Sequence, residues 1–293
     1  MQRPYIIFNP VAGSAGAAEK IAKQLKKLNP IAFRITRRKG DAERWARRAR
    51  TSKASTVIVA GGDGTLNEAV NGLGMFARRK LIGLIPLGTG NDFARTLGLP
   101  ALIDDNIDIL RAGRTAQIDI VRVKSKRSRY FVNVSAGGFS GMVDEKITPQ
   151  IKRTWGPLAY IRGAAAALPH LHAYKTEIVF DDDERLSTGL YNVVVANGRY
   201  VAGGLPIAPT ADPADGKLEV VLIPKLGPGE MALLAAEIVL GKHLSSNATI
   251  FRQARKIAVR SRPGMWFNVD GELVGNAPAV FQIIPRALNF IVT

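Results

Sequence analysis

The first hundred residues alternate short apolar runs with stretches in which apolar residues recur at helical spacing. Three of the runs, at residues 5–8, 57–60 and 81–85, have the length and composition of buried strands. Segments such as 66–73 instead space their apolar residues by three and four positions, as on one face of a helix. This alternation predicts an α/β domain in which helices cover both faces of a parallel sheet.

The pattern changes at about residue 120, where segments that alternate apolar and polar residues take over. They read DIVRV, RYFVNVSA, KTEIVFD, LYNVVVANG, KLEVVLI, RKIAVRS and WFNVDGELV. Helical patterns remain only at residues 157–168 and 229–240. We therefore predict a second, mainly antiparallel β domain with a sandwich-like arrangement. The expected domains are residues 1–122 and 123–281, with the tail 282–293 returning to the first domain.

The most specific local signal is the segment TVIVAGGDGTLNEAVN. A strand followed by Gly61 and Gly62 predicts a tight turn whose free N–H groups can bind an anion. Neither glycine has a Cβ atom, so a phosphate group could approach the backbone. Thr65 and Glu68 form a T-x-x-E pattern, which predicts a capping box and a helix that begins at the threonine. The carboxylate of Asp63 suits a Mg²⁺ ion or a nucleotide hydroxyl better than a bare phosphate.

Small polar residues follow each predicted strand of the first half, in loops at residues 9–13, 36–41, 61–65 and 88–92. Because parallel strands end at the same edge of a sheet, we expect these loops to converge there. Their convergence indicates a phosphate-binding site. A single loop of this kind is equally typical of a plain strand–helix turn, in which Asp63 and Thr65 would serve only as caps.

Composition excludes several classes of site. The chain of 293 residues contains no cysteine, so disulfides, thiolate metal sites and cysteine nucleophiles are excluded. The N-terminus leads directly into a strand and lacks the pattern of a signal peptide. No apolar run approaches the roughly 18 residues of a membrane span. These features agree with a cytoplasmic protein.

The net charge of +17 is concentrated in the first half. Residues 1–130 carry 25 Lys and Arg against 10 Asp and Glu, whereas residues 131–293 carry 16 against 14. Such a basic half indicates either an anionic partner, namely nucleic acid, a membrane surface or polyphosphate, or a well-solvated surface. The most basic run is TRRKGDAERWARRAR, in which Trp45 and Ala49 are expected to face the core.

The string GGDGTLNE is similar to the nucleotide-binding signature of diacylglycerol kinases, sphingosine kinases, NAD kinases and phosphofructokinases. Over nearly its whole length the chain resembles the bacterial diacylglycerol kinases, also described as YegS-like lipid kinases. The segments that carry this resemblance, in family order, are FNPVAG, TRRKGDA, GGDGTLNE, PLGTGNDFAR, NVSAGGFSG, KRTWGPLAY, the stretch 197–220 and VDGE. NAD kinases and phosphofructokinases would not be expected to supply the segments of the second half.

The resemblance implies an ATP-dependent lipid kinase that transfers the γ-phosphate of ATP to a hydroxyl of a lipid such as diacylglycerol. The residues implied in nucleotide binding are Asn9, Pro10, Gly13, Thr36, Gly61, Gly62, Asp63, Gly64, Thr65, Asn67, Thr89, Asn91 and Asp92. Asp63 would also serve a catalytic Mg²⁺, and Glu272 would be the general base on the lipid hydroxyl. A second Mg²⁺ would be held by the side chain of Asp215 and by the main-chain carbonyls of Asp212 and Lys217.

The resemblance also implies an active site in the cleft between the two domains. The enzyme would work at the inner face of the cytoplasmic membrane, on a lipid substrate at an anionic surface, and it is compatible with a homodimer. No nucleic-acid partner is expected. Without the resemblance, Asp215-Gly216 and Asp270-Gly271 are ordinary hairpin turns between apolar runs.

Three other functions remain open from the sequence. The chain could be a kinase of a soluble acceptor, similar to the NAD kinases. It could be a basic nucleic-acid-binding module, or a regulatory protein that binds nucleotide without turnover. The sequence does not select among diacylglycerol, phosphatidylglycerol, sphingoid bases and ceramide as the acceptor.

Overall fold

The computed structural model describes residues 3–12, 18–138 and 172–293. The chain divides into two compact units, one formed by residues 1–120 and 285–293 and the other by residues 121–284. Gly13 and the predicted helix at residues 157–168 lie outside the described residues. So do the segment KRTWGPLAY and the end of NVSAGGFSG.

The first unit contains a parallel sheet, as the alternation of strands and helices predicts. Its strands pair in the order β2-β1-β3-β4, every pair in parallel. Their bounds are β1 Tyr5–Phe8, β2 Ala32–Ile35, β3 Thr56–Gly61 and β4 Leu81–Pro86. The final strand of the chain also reaches this sheet, where Asn289 and Phe290 pair in parallel with β4.

Five α-helices accompany this sheet: α1 Ala18–Lys26, α2 Asp41–Ala49, α3 Asp63–Leu73, α4 Asp92–Thr96 and α5 Ile103–Ala112. A 3₁₀ helix, Gly74–Arg79, follows α3. Apolar side chains of the sheet and of α1 and α5 form a common core that includes Ile6, Ile58, Leu25 and Leu110. The apolar side chains of α1 and α5 recur on one face of each helix, and this face packs against the sheet.

The second unit is mainly antiparallel β structure, which confirms the predicted change of pattern. Its strands are β5 Thr115–Lys124, β6 Ser128–Phe131, β7 Val134–Gly138, β8 Tyr174–Phe180, β9 Glu184–Ala196, β10 Leu218–Pro224, β11 Ile250–Ala254, β12 Lys256–Arg262, β13 Phe267–Val269, β14 Glu272–Gly275 and β15 Ala279–Ile291. The chain enters this unit within β5 and leaves it within β15. In the described part of this unit, helix α6 Pro228–Val239 lies close to the helical pattern expected at residues 229–240.

Alternating side chains of these strands build the core of the second unit. Phe281 packs edge-to-face against both Phe131 and Phe267, with ring centroids 6.3 and 5.3 Å away. The strand expected along RYFVNVSA is interrupted at Val132 and Asn133. The interruption has a physical cause, because the backbone N–H groups there donate to a side chain, as described below. No helix in the described ranges has both the length and the hydropathy needed to cross a bilayer.

Candidate functional site

The loops after β1, β2, β3 and β4 leave the sheet at one edge, because the four strands are parallel and adjacent. Backbone hydrogen bonds join neighbouring loops at this edge. The N–H of Asn9 donates to the carbonyl of Ala60 at 2.9 Å, and the N–H of Thr36 donates to Phe8 at 2.9 Å. The structure thus brings together the four segments that the sequence singled out.

Gly61 and Gly62 allow close packing within this edge. A Cβ atom on Gly61 would lie 2.6 Å from the Thr65 side chain. A Cβ atom on Gly62 would lie 3.0 Å from the Cα atom of Gly88, and one on Gly88 would lie 2.7 Å from the Cα atom of Gly62. Gly62 and Gly88 therefore let the loops after β3 and β4 touch, and Gly61 leaves room for the Thr65 side chain. A Cβ atom at Gly64, in contrast, would meet open space.

The predicted capping box at Thr65 is wrong. Helix α3 begins at Asp63, with Gly62 as its N-cap residue and no side-chain cap. The Glu68 carboxylate instead accepts the N–H groups of Gly40 at 2.8 Å and Ala42 at 3.1 Å, at the start of α2. A carboxylate is favourable there because the first N–H groups of a helix carry partial positive charge. Glu68 does cap a helix, but that helix is α2 and not its own helix α3.

Asp63 holds the loop after β4 in place. Its two carboxylate oxygens accept the N–H groups of Asp92 at 3.0 Å and Phe93 at 3.1 Å, at the start of α4. The Asn91 side chain closes the same loop by bonding both the N–H and the carbonyl of Gly88. An ionised carboxylate has about four lone-pair positions, so Asp63 can still bind a cation while it makes these bonds.

The remaining predicted nucleotide residues differ in their exposure. Thr89 is exposed, Asn9 is half-buried, and the side chains of Asn67 and Asp92 are buried. The Asn9 amide donates to the Thr65 hydroxyl at 3.0 Å, which links the loop after β1 to the first turn of α3. Thr89 and the backbone of the glycine turn are therefore the parts of this set most open to a ligand.

The first turn of α3 presents free hydrogen-bond donors. The N–H groups of Asp63 and Gly64 have no acceptor among the described residues. The first N–H groups of any α-helix lack a partner within the helix, and here no side chain or loop of the described ranges supplies one. With the partial positive charge of the helix end, these groups can bind a phosphate.

In the second unit, Asp270 and Gly271 form the two-residue turn of the hairpin between β13 and β14. Both have positive φ angles, 44° and 85°, as a type I′ turn requires. The turn pairs Val269 with Glu272, so Glu272 is the first residue after the tip. The Asp270 carboxylate accepts three N–H groups, those of Val132, Asn133 and Val134, and so anchors the tip.

Glu272 forms an ion pair that the sequence did not predict. Its Oε1 atom lies 3.0 Å from an Nη atom of Arg129, on β6. Both side chains are partly buried. Arg129 is separated from Glu272 by 143 positions, so only the alternating pattern of its own strand could have indicated that it faces the hairpin.

The loop proposed for a second metal contains two Asp side chains that turn back on their own backbone. Asp212 accepts the N–H of Ala214 at 2.9 Å, and Asp215 accepts the N–H of Lys217 at 2.9 Å. Asp215-Gly216 is a turn that leads into β10 rather than a hairpin between two strands. Each of these bonds uses one carboxylate oxygen, and the other oxygen accepts no hydrogen bond from the described residues.

Glu219 adds negative charge next to this loop, and the sequence did not single it out. It is buried on β10, where Oε1 accepts the Thr210 hydroxyl, and the side chains of Gln253 and Arg199 are near enough to favour its charged form. Burial raises the pKa of Glu219, and the nearby charge of Asp215 raises it further. Carboxylate oxygens such as those of Asp215 are ligands that a hard cation such as Mg²⁺ prefers. No three Asp, Glu or His side chains of the described ranges form a metal cluster, so a site here needs main-chain oxygens.

Comparison with known protein families gives two matches that together span most of the chain. Residues 3–123 match the diacylglycerol kinase catalytic domain. Residues 133–292 match the YegS C-terminal NAD kinase beta sandwich-like domain. The first match includes the whole sheet edge described above, and the second includes the Glu272 hairpin and the Asp215 loop.

Curated relatives include a diacylglycerol kinase of Staphylococcus epidermidis, 33% identical over 96% of this chain and 89% of the relative. One from Bacillus subtilis is 31% identical over 99% and 96% of the two chains. A crystal structure of a diacylglycerol kinase from Bacillus anthracis has a TM-score of 0.74 at 20% identity, covering 100% of this chain and 97% of the other. A second crystal structure from the same organism, of a protein only provisionally assigned as a diacylglycerol kinase, has a TM-score of 0.83 at 23% identity, with the same coverage of both chains. At these sequence identities the two structures show similarity of fold alone.

Proposed function

This chain belongs to the bacterial diacylglycerol kinase family and is a kinase, and we propose that it transfers the γ-phosphate of ATP to a hydroxyl of a lipid such as diacylglycerol. The observation that carries the proposal is the first turn of α3. There, two N–H groups that have no acceptor in the part of the chain that the structure describes lie beside the Asp63 carboxylate, at the edge where four loops meet. Such an arrangement suits a nucleotide whose phosphates need N–H donors and whose cation needs an oxygen ligand.

We assign the nucleotide to that edge. The N–H groups of Asp63 and Gly64 would bind phosphate oxygens, and Thr89 would contact the nucleotide from the loop after β4. Asn9, Thr36 and Asn91 would shape the site, since the bonds of Asn9 and Asn91 hold the loops to one another. The other members of the set are Pro10, Gly13, Gly61, Gly62, Thr65, Asn67 and Asp92.

Two metal positions accompany the proposal. Asp63 would hold the ion that accompanies ATP, and a bound Mg²⁺ supplies charge neutralisation of the β- and γ-phosphates. Asp215 would hold a structural ion through its free carboxylate oxygen, together with the main-chain carbonyls of Asp212 and Lys217. Oxygen donors of this kind are those that Mg²⁺ prefers.

Glu272 is proposed as the general base that accepts the proton of the lipid hydroxyl. Its support is local geometry: the hairpin tip is anchored by three bonds to Asp270, and the Arg129 ion pair fixes the direction of the carboxylate. A base must be held firmly toward the proton that it removes, because proton transfer needs hydrogen-bond reach. Arg129 is then a positioning residue for Glu272.

The acceptor decides between a lipid kinase and a kinase of a soluble molecule. We propose a cytoplasmic enzyme that associates with the inner face of an anionic membrane and has no nucleic-acid partner. The direct test measures transfer of labelled γ-phosphate to diacylglycerol, phosphatidylglycerol, sphingosine and ceramide in mixed micelles, and to NAD in solution. We expect labelled lipid and no labelled NAD. Labelled NAD without labelled lipid would establish the soluble-acceptor alternative instead.

A further inference from the structure

Trp45 lies at the surface of the first unit and not in its core, which corrects the expectation from the sequence. Its ring is only partly buried, while Ala49, one turn further along α2, is fully buried. The indole N–H donates to the carbonyl of Ile35 at 3.2 Å. The ring therefore lies beside β2, which is the outer strand of the parallel sheet.

Three guanidinium groups surround this one ring. The carbon atom of the Arg44 guanidinium is 4.4 Å from the ring centroid, that of Arg48 is 4.9 Å away, and that of Arg34 is 5.4 Å away. Each cation is attracted to the face of the indole, but the three cations repel one another. An anion beside the ring would relieve that repulsion. Ile35, next to the ring, is 45% exposed.

The acidic side chains of α2 are much less exposed than its arginines. The side chain of Asp41 is 7% exposed and that of Glu43 is 13% exposed, whereas their partners Arg44 and Arg47 are 48% and 62% exposed. Arg34 and Arg48, both exposed, make no ion pair among the described residues. The outer layer is therefore positive, although acidic residues are present in the same helix.

We infer that this surface, which we call the Trp45 face and define as Arg34, Ile35, Arg44, Trp45 and Arg48, binds the headgroups of an anionic phospholipid bilayer. Guanidinium groups match phosphate oxygens in charge and in geometry. The indole ring and the Ile35 side chain offer the apolar contact that the interfacial layer of a bilayer accepts. The role that we give to this surface rests on the proposed function, since a lipid kinase must reach its acceptor in a membrane.

Duplex nucleic acid is the other polyanion that arginines attract. It offers phosphate groups but no apolar layer for Ile35 and the partly buried ring of Trp45. Apolar groups beside unpaired arginines therefore favour the bilayer, and binding to a duplex becomes an outcome of the test.

The first experiment measures co-sedimentation of the full chain with phosphatidylcholine vesicles, with and without phosphatidylglycerol and in the absence of ATP. Arg34→Glu/Arg48→Glu reverses two charges of the Trp45 face. Lys27→Glu/Arg114→Glu is the matched control, because it reverses two exposed charges elsewhere in the same unit. We expect the first variant to lose anionic-vesicle binding by at least about tenfold, and the control to lose clearly less. Equal losses would mean that net charge alone drives binding, and would overturn the inference.

The second experiment follows Trp45 itself. The chain has three tryptophans, so Trp155→Phe/Trp266→Phe leaves Trp45 as the sole indole. Its emission should shift to the blue with phosphatidylglycerol vesicles and stay unchanged with phosphatidylcholine alone. An emission maximum that does not move with anionic vesicles would contradict the inference, as would tighter binding to duplex DNA than to those vesicles.

Kinase assays separate this inference from the proposed function. Arg34→Glu/Arg48→Glu should phosphorylate a short-chain, monomeric diacylglycerol at the wild-type rate and lose activity only on anionic vesicles. If the wild-type chain phosphorylates no lipid, the proposed function fails while the vesicle data still decide the inference. If the variant keeps full vesicle binding, the inference fails and the kinase assignment stands.

Discussion

Single carboxylates in this protein hold loops together. Asp63 accepts two N–H groups at the start of α4, and Asp270 accepts three at the break between β6 and β7. Neither role is visible in the sequence, because the donors lie 29 to 30 and 136 to 138 positions away. A variant of either residue therefore tests structure and function together, and the measurement has to separate them.

Replacing Asp63 by Asn should reduce stability slightly and abolish most kinase activity. The amide keeps one acceptor oxygen for the start of α4 but loses the second acceptor and the negative charge, which we expect to cost about 1 kcal/mol. The loss of kinase activity should be much larger than the loss of stability, because asparagine cannot hold the cation that accompanies ATP. Thermal shift with Mg²⁺·ATP is the measurement, because it does not depend on turnover: ligand should raise the Tm of the wild type and hardly that of the variant. A well-folded variant with full activity would remove Asp63 from the mechanism.

Replacing Glu272 by Gln should lower kcat by about 10²–10⁴-fold, the usual contribution of a general base. Glutamine keeps the shape of the side chain at the hairpin tip and removes its basicity. The KM for ATP should change little, since the residues proposed to bind the nucleotide lie in the first unit. Arg129→Lys is a useful companion, because it keeps the charge and changes the direction of the ion pair. If Glu272→Gln turns over normally, Asp92 is the next candidate for the base.

At the scale of elements, periodicity located most strands and helices of the described chain, and long-range contacts set their ends. The α/β alternation and the change to antiparallel strands were predicted from apolar spacing alone. The glycines after β3 were predicted to admit a phosphate, yet Gly62 and Gly88 are also required by the contact between two loops. Helix α5, β11 and β15 were missed. The side chains that fix α2, α4 and the β6–β7 break come from distant segments, which local patterns do not contain.

Glu68 offers a test of such a distant cap. Glu68→Ala should leave the N–H groups of Gly40 and Ala42 without their acceptor and lower the free energy of unfolding by about 1 kcal/mol. The control is Glu19→Ala, which removes an exposed carboxylate whose ion pair with Lys23 should contribute less than about 0.5 kcal/mol. Urea unfolding of both variants makes the comparison. A Glu68 variant as stable as the control would show that water replaces the cap without cost.

At the scale of the whole molecule, positive charge is concentrated in the first half of the chain. Within α2, the basic side chains are also more exposed than the acidic ones. The sequence reveals the basic first half, but not that the side chains of Asp41 and Glu43 are far less exposed than the arginines of α2. In the second unit, near the Asp215 loop, the acidic residue Glu219 is buried, and burial raises its pKa. A cation bound nearby would favour the charged carboxylate over the protonated one, and would in that way stabilise the folded chain.

Magnesium should therefore stabilise the protein without nucleotide, and Asp215 should be responsible. A ligand that binds only the folded state raises its stability by RT ln(1 + [L]/Kd), or about 2.7 kcal/mol at a hundredfold excess over Kd. Adding Mg²⁺ should raise the Tm of the wild type, and Asp215→Ala should remove that increase. Asp212→Ala is the matched control: it loses the bond to Ala214 but keeps the main-chain carbonyl, so most of the Mg²⁺ response should remain. An Asp215 variant that still responds to Mg²⁺ like the wild type would place the structural ion elsewhere.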